Sequence, residues 1–291
     1  MRVASPVKLD CFTYVTHARL TADTDRLVSM LPPGIDVVVG IARSGMLPAT
    51  QVAMALHRPL YAIAEERVTP LGGGHRMKNY RSNGRHRIVI VDDTTASGQT
   101  IQEALPWVRV AFPGSEVLTA AIYCMPQSIE QIDFPVVELP PPHYLEWNFF
   151  NSVLSPKAAY DLDGILCHDV PVECDDDGER YINYLRNAPP MHLPRKAPIP
   201  AIVTARLAKY EQVTRDWLAR WKVRFHKLIV GPWPSMRERS KAQAISRWKA
   251  EQYKQLQLGL FVESDRRQAV EIAPLAGKPV LCPKAGRVFL P

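Results

Sequence analysis

Two pairs of carboxylates stand where short apolar runs end. In RIVIVDDTTASGQT, Asp92 and Asp93 follow a β-branched run and precede a loop of small and hydroxyl-bearing residues; in KAAYDLDGIL, Asp161 and Asp163 follow a second run, with Gly164 behind them. Open α/β sheets bind ligands outside the carboxyl ends of their strands, so both pairs occupy chemically useful positions. The adjacent pair can accept hydrogen bonds from the two hydroxyls of a ribose. The backbone N–H groups and hydroxyls of Thr94, Thr95, Ala96, Ser97, Gly98 and Thr100 can wrap a phosphate at a helix N-terminus. Gly98 permits close backbone approach. The spaced pair points one way from an extended segment, because side chains alternate along a strand.

Other motifs share this strand-then-loop placement. GIARSG (40–45) follows an apolar run and opens a helical pattern, offering Arg43 and Ser44 to an anion. IVTAR ends on Thr204 and the residues after it, and FVESD carries Glu263 and Asp265. Between the first two loops, TPLGGGHRMKNYRSNGRHR (69–87) is Gly-rich, basic and poor in apolar residues, so it predicts a mobile surface segment, either a solvated connector or a ligand-closing loop.

Residues 87–100 resemble the PRPP-binding signature of type I phosphoribosyltransferases, with Ser97 where that signature usually has threonine, and GIARSG resembles the family's pyrophosphate loop. The resemblance implies that Arg43 and Ser44 meet pyrophosphate and that Ala42–Arg43 is a cis peptide. It implies a segment closing over PRPP, in which Arg76, Lys78 and Arg81 neutralise the departing pyrophosphate, with His75 and His86 as weaker candidates for proton transfer. The implied reaction displaces pyrophosphate from C1 of PRPP by an acceptor, usually a base nitrogen, with Mg²⁺ bridging the leaving group. A cationic sugar forms while an anion departs; acids near the ribose and basic groups near the pyrophosphate address those charges separately. Trp147, in HYLEWNFFN, either stacks on a planar acceptor or packs as an aromatic plug.

AAYDLDGIL, IVTAR and FVESD, in that order, resemble haloacid-dehalogenase-like phosphatases. Asp161 is then the nucleophile that forms an aspartyl-phosphate, and Asp163 the acid for the leaving group and the base for water. Thr204 hydrogen-bonds the phosphoryl group. Lys241 or Lys249 steadies the intermediate, Lys249 being preferred because its helical run KAEQYKQLQ leads into the strand before Glu263. Asp161, Asp163, Glu263 and Asp265 are the implied Mg²⁺ ligands, with Ser264 standing where the family commonly has aspartate. The crowd of Cys167, His168, Asp169 and residues 173–177 matches no standard zinc or calcium spacing and reads as an acidic loop flanking the entrance. The order of the two motif sets resembles bifunctional fusion proteins. The implied substrates are PRPP, a small acceptor and a phosphomonoester.

The elements that must position these groups alternate β-branched runs with helical patterns in both halves, which predicts two open, mostly parallel α/β sheets. A proline cluster over residues 126–142 places the expected boundary shortly after it, giving domains at 1–150 and 151–291. A chain of 291 residues, 46% hydrophobic and 22% charged, has room for two such cores. The first 150 residues carry 13 Lys and Arg against 14 Asp and Glu, the rest 23 against 15. A modest basic excess is an ordinary solvated surface, so nucleic acid is not the expected partner, although an RNA-binding regulator is the rival reading. Five scattered cysteines without CxxC spacing, no apolar leader and no spanning segment predict a cytoplasmic protein without membrane contact. Only about 36 residues separate Gly164 from IVTAR, too few for a large cap, so the first half or a second copy of the chain is expected to cover the second site.

Overall fold

The computed structural model describes residues 5–72 and 85–291. The chain divides into two compact units, Met1–His143 and Tyr144–Pro291. Residues 144–150, expected to close the first unit, fall in the second. Among the described residues no helix is long and apolar enough to cross a membrane, and the five cysteines are unpaired.

In the first unit the elements run β1 (Val7–Lys8), β2 (Tyr14–Val15), α1 (His17–Met30), β3 (Val37–Ile41), α2 (Met46–Leu56), β4 (Leu60–Ala64), β5 (Arg67–Gly72), β6 (Arg87–Thr95), α3 (Gln99–Ala111), β7 (Glu116–Cys124) and β8 (Phe134–Glu138). Described strands form a sheet in the order β1-β8-β7-β6-β3-β4-β5, parallel except that β5 runs antiparallel to β4. The β-branched runs of β3 and β6 are buried throughout their centres and, with Ile101, Ala104 and Val108 of α3, form one core cluster. From β3 the chain crosses through α2 to β4 on one side; from β6 it crosses through α3 to β7 on the other. These neighbouring strands therefore flank a topological switch point, where the diverging loops leave a crevice.

Sequence periodicity and structure differ at several elements. β5 occupies the start of the segment read as a surface loop, because Glu65 and Glu66 both adopt left-handed backbone and turn the chain into a hairpin. β8 lies inside the proline cluster. Its Pro135 is tolerated as the second residue of a short strand. Helix α1 is capped by Thr16, whose hydroxyl accepts from the Arg19 N–H at 3.1 Å.

The second unit contains β9 (Tyr144–Leu145), β10 (Ala158–Tyr160), α4 (Glu179–Asn187), β11 (Ile199–Leu207), α5 (Glu211–Arg220), β12 (Phe225–Gly231), α6 (Met236–Ala242), α7 (Ile245–Gln255), β13 (Leu260–Val262), α8 (Arg266–Ala276), β14 (Val280–Cys282) and β15 (Arg287–Phe289). Its sheet order is β12-β11-β10-β13-β14-β15, with only β15 antiparallel among the described strands. The chain from α6 to α7 is two helices and not one, because Gln243 is left-handed (φ 45°) and ends α6. β10 leads by way of α4 to β11 on one side; β13 leads through α8 to β14 on the other. The second unit thus has its own switch point, between β10 and β13.

Candidate functional site

In the first unit, the loops after β3 and β6 meet above the switch point. Ser44 Oγ donates to Asp93 Oδ1 at 2.8 Å, joining the two loops. Gly45 is the close approach that permits this: a β-carbon there would stand 2.6 Å from the Ile41 carbonyl oxygen and 2.7 Å from Asp92 Oδ1. The Ala42–Arg43 peptide is cis, and Arg43 is exposed beside it. Asp92 and Asp93 are both buried, and Asp92 Oδ1 accepts from the Asp93 N–H at 2.9 Å. Burial, first, and then the neighbouring Asp93 charge push the Asp92 carboxyl up to about 8.

β6 extends through Thr94 and Thr95, both paired to β7, so the loop is shorter than the sequence reading has it. Ala96 and Ser97 are exposed; Gly98 is buried with φ 77°, and a β-carbon there would stand 2.5 Å from Gln131 Oε1. Thr100 is exposed in the first turn of α3. Thr95 Oγ1 accepts from the Gly98 N–H at 2.9 Å, while Thr94 Oγ1 is buried without a hydrogen-bond partner. A buried hydroxyl left without a partner at the end of a strand can be satisfied by a bound water or by a ligand atom. Arg76, Lys78, Arg81 and His75 lie outside the described residues. His86 is corrected: it precedes β6 and packs edge-on to Phe112, about 20 Å along the strand from Asp93, so it does not belong to the site. Trp147 is half-buried and belongs to the second unit.

In the second unit, Asp161 and Asp163 follow β10, Thr204 and Arg206 lie in β11, Glu263 follows β13, and α7 carries Lys249. Lys249 Nζ donates to Asp161 Oδ2 at 2.9 Å and to Glu263 Oε2 at 2.7 Å. All three are buried, Glu263 completely. Lys241, by contrast, is exposed on α6. Burial and then the Glu263 charge hold the Asp161 carboxyl well above the usual carboxylate range, with Lys249 opposing them. The Lys249 ammonium is held up by its two carboxylates despite burial.

Asp163 has a partner that spacing alone did not reveal. Arg206, only 1% exposed, clamps it through Nε to Oδ2 at 2.9 Å and Nη2 to Oδ1 at 2.6 Å. Arg206 is itself held by Thr214 Oγ1 and Cys167 Sγ. Burial works to raise the Asp163 carboxyl, but the guanidinium outweighs it and keeps the acid below its ordinary range. The final residue of IVTAR was the available signal. Thr204 is wholly buried, and its hydroxyl accepts from the Arg206 N–H at 3.2 Å.

The implied metal ligands do not converge: among the described residues no three His, Cys, Asp or Glu side chains are placed to share an ion. Lys249 and Arg206 occupy the oxygens of Asp161, Asp163 and Glu263. The second oxygen of Glu263 accepts from the Asp265 N–H at 3.1 Å, and Asp265 Oδ1 caps α8 through the Arg267 and Gln268 N–H groups. As arranged, these four acids do not fit Mg²⁺. The acidic loop is likewise committed, with Asp176 on Arg180 and Asp177 on Lys209 and Tyr210.

Residues 18–159, from α1 into β10, match the family model for the phosphoribosyl transferase domain. The chain is 31% identical over 122 residues to orotate phosphoribosyltransferase 2 of Mesorhizobium japonicum, covering 40% of this chain and 60% of that protein. It is 34% identical over 105 residues to the transcriptional regulator GfcR of Haloferax volcanii, covering 34% and 49%. The chain thus spans between about half and three-fifths of these two curated relatives. Among solved structures, a purine phosphoribosyltransferase from Pyrococcus horikoshii aligns with 49% of this chain and 93% of its own, at 21% identity and a TM-score of 0.36.

Proposed function

Residues 18–159 being a phosphoribosyl transferase domain, we propose that the first unit transfers phosphoribose from PRPP to a small acceptor, and that the second unit is a haloacid-dehalogenase-like phosphatase that hydrolyses the phosphoribosyl product. The observation that carries the first half is the pair of loops at the β3/β6 switch point, joined by Ser44 and Asp93. Asp92 and Asp93 accept hydrogen bonds from the ribose hydroxyls. Arg43 and the amides of its loop take the pyrophosphate, and the turn from the end of β6 into α3, Thr95 to Thr100, takes the 5′-phosphate. The C1–O bond to pyrophosphate breaks as the acceptor nitrogen bonds to C1, and the acceptor's proton leaves to solvent. Mg²⁺, when bound with PRPP, would supply part of the leaving group's charge neutralisation beside Arg43. A nitrogenous base is the acceptor class favoured by the relative from Mesorhizobium japonicum.

In the second unit, the Lys249 bridge between Asp161 and Glu263 supports the phosphatase reading. An Asp161 oxygen attacks phosphorus, and the ester oxygen departs with a proton. Water then attacks the aspartyl-phosphate, releasing inorganic phosphate and restoring the carboxylate. Lys249 offsets the charge that gathers on the phosphoryl oxygens. The Arg206 clamp keeps Asp163 anionic, the form that takes a proton from the attacking water. Donation to the leaving group requires that clamp to open.

The test is incubation of the chain with PRPP, Mg²⁺ and a panel of bases, following pyrophosphate and phosphate separately. The right base gives wild type a free nucleoside with both anions, whereas Asp161→Asn stops at the 5′-monophosphate. A wild-type protein that ignores its own monophosphate yet cleaves unrelated phosphoesters refutes the coupling. A second reading, a nucleotide-sensing regulator, is favoured by the relative from Haloferax volcanii. It predicts nucleic-acid binding with a steep salt dependence and no turnover of PRPP.

A further inference from the structure

The second unit contains a cavity of 770 Å³ lined by Ser264, Asp169, Arg266, Lys284 and Arg287 among others. That volume lies within the range of about 300–1,000 Å³ usual for small-molecule sites. Its position follows from the sheet. β13 and β14 are parallel neighbours, and the β14–β15 hairpin carries Lys284 and Arg287 back toward the start of α8, where Arg266 stands. The Glu263 N–H donates to the Leu281 carbonyl at 2.9 Å, fixing the hairpin against the loop that holds the phosphatase acids. Two of its lining residues abut the Asp161–Gly164 turn. A β-carbon on Gly164 (φ 74°) would stand 2.6 Å from Ser264 Cβ and 2.7 Å from Asp169 Oδ1, so two cavity-lining residues press directly on the turn carrying Asp161 and Asp163.

The lining carries three cations against two acids, and the acids are already engaged. Asp169 pairs with Lys284. Asp265 accepts from two α8 amides. Arg266 and Arg287 make no ion pair among the described residues; Arg287 lies 5.0 Å over the Phe289 ring, which orients its guanidinium without neutralising it. The lining therefore keeps one cation in excess, and two guanidinium groups outside any ion pair among the described residues, on separate elements beside the turn of a proposed phosphoryl nucleophile, suit an oxygen anion.

We propose that this cavity binds a second anionic group on the phosphomonoester hydrolysed at Asp161, so that the preferred substrate is a small nucleotide bearing a further carboxylate or phosphate. The assignment rests on reading the second unit as a phosphatase. A phosphomonoester seated at Asp161 extends past Gly164 and Ser264 into the cavity, where Arg266 and Arg287 take its second charge. A nucleotide with a neutral base and one phosphate leaves both cations unused.

The test uses the full chain and three ligands: uridine 5′-monophosphate, its 6-carboxy derivative and uridine 3′,5′-bisphosphate. Binding is measured calorimetrically, and phosphate release is followed for each. At least one doubly anionic ligand is expected to bind about tenfold or more tightly than the monophosphate, as charge-assisted contacts allow. Which of the two gains distinguishes a carboxylate from a phosphate. The double substitution Arg266→Glu, Arg287→Glu removes the preference, and Arg266→Lys, Arg287→Lys retains part of it. Because both positions lie in the second unit, the difference between wild type and variant separates this cavity from nucleotide bound at the first unit's loops. Equal affinity for all three ligands, or a preference that survives charge reversal, overturns the proposal. So does tighter binding of a 5′-phosphorylated oligonucleotide than of any mononucleotide. Failure of the wild type to hydrolyse p-nitrophenyl phosphate counts against the phosphatase reading alone, while the binding preference and its loss on charge reversal still decide the cavity.

Discussion

Replacing Lys249 by methionine keeps the length of the side chain and removes its charge. In the folded protein the ammonium is 2% exposed and makes hydrogen bonds to Asp161 at 2.9 Å and Glu263 at 2.7 Å. Methionine leaves two buried carboxylates facing one another without a cation. Breaking a buried ion pair by removing one partner costs about 3–5 kcal/mol. For a unit of this size that corresponds to a fall in Tm of roughly 6–20 °C. Tryptophan fluorescence is a suitable probe because Trp147, Trp217, Trp221, Trp233 and Trp248 lie in the second unit and only Trp107 in the first.

The pH dependence supplies an independent check on Lys249→Met. Burial and Glu263 already hold the Asp161 carboxyl above its usual range, with Lys249 pulling it down. Loss of the ammonium raises it further. A carboxyl with a raised folded pKa contributes stability that is complete below its unfolded value, near 4, and is lost as pH rises toward the folded value. The variant's deficit against wild type therefore grows as pH rises above about 4. Adding Glu263→Gln to Lys249→Met should recover much of the loss by removing one of the stranded charges. A deficit below about 1 kcal/mol, a deficit equal at pH 5 and 8, or an equal effect of Lys241→Met on α6 would refute the reasoning.

Asp92→Asn is expected to lose PRPP binding and gain stability. With a folded value of about 8, the Asp92 carboxyl contributes stability below about 4 that drains away as pH climbs to about 8. The asparagine variant should unfold later by on the order of 5 kcal/mol at pH 9 and about equally at pH 4 in urea titrations; a variant less stable than wild type at pH 9 would show that Asp92 is not held up by burial. Gly45→Ala should weaken PRPP binding at least tenfold and cost about 1–3 kcal/mol, since its β-carbon meets the Ile41 carbonyl oxygen and Asp92. Gly259→Ala, with nothing within 4 Å of the added carbon, is the control, and equal calorimetric PRPP affinity in the two variants would dissociate the loop from the ligand.

Both sheets and the acids at their switch points were legible because the signals are local. A β-branched run followed by Asp92 and Asp93, or by Asp161 and Asp163, states strand, end and chemistry within a dozen residues. What escaped was either too short or too distant. The paired edge β1 has two residues and no periodicity, and β8 hides its five residues among prolines. The turn that ends α6 rests on a left-handed glutamine, a residue type with no turn signature. Ion-pair partners are the harder case, because Lys249 stands 88 residues from Asp161 and Arg206 stands 43 residues from Asp163. The resemblance to haloacid-dehalogenase-like phosphatases implied both halves of a proton cycle for Asp163, but a guanidinium bidentate on its carboxylate favours only the ionised half. In the proposed phosphatase, its availability as an acid would be governed by Arg206, whose other contacts, Thr214 on α5 and Cys167 beyond the Gly164 turn, hold the clamp closed. Substrate entry that draws Arg206 onto a phosphoryl oxygen would release Asp163, coupling protonation of the leaving group to occupancy of the site.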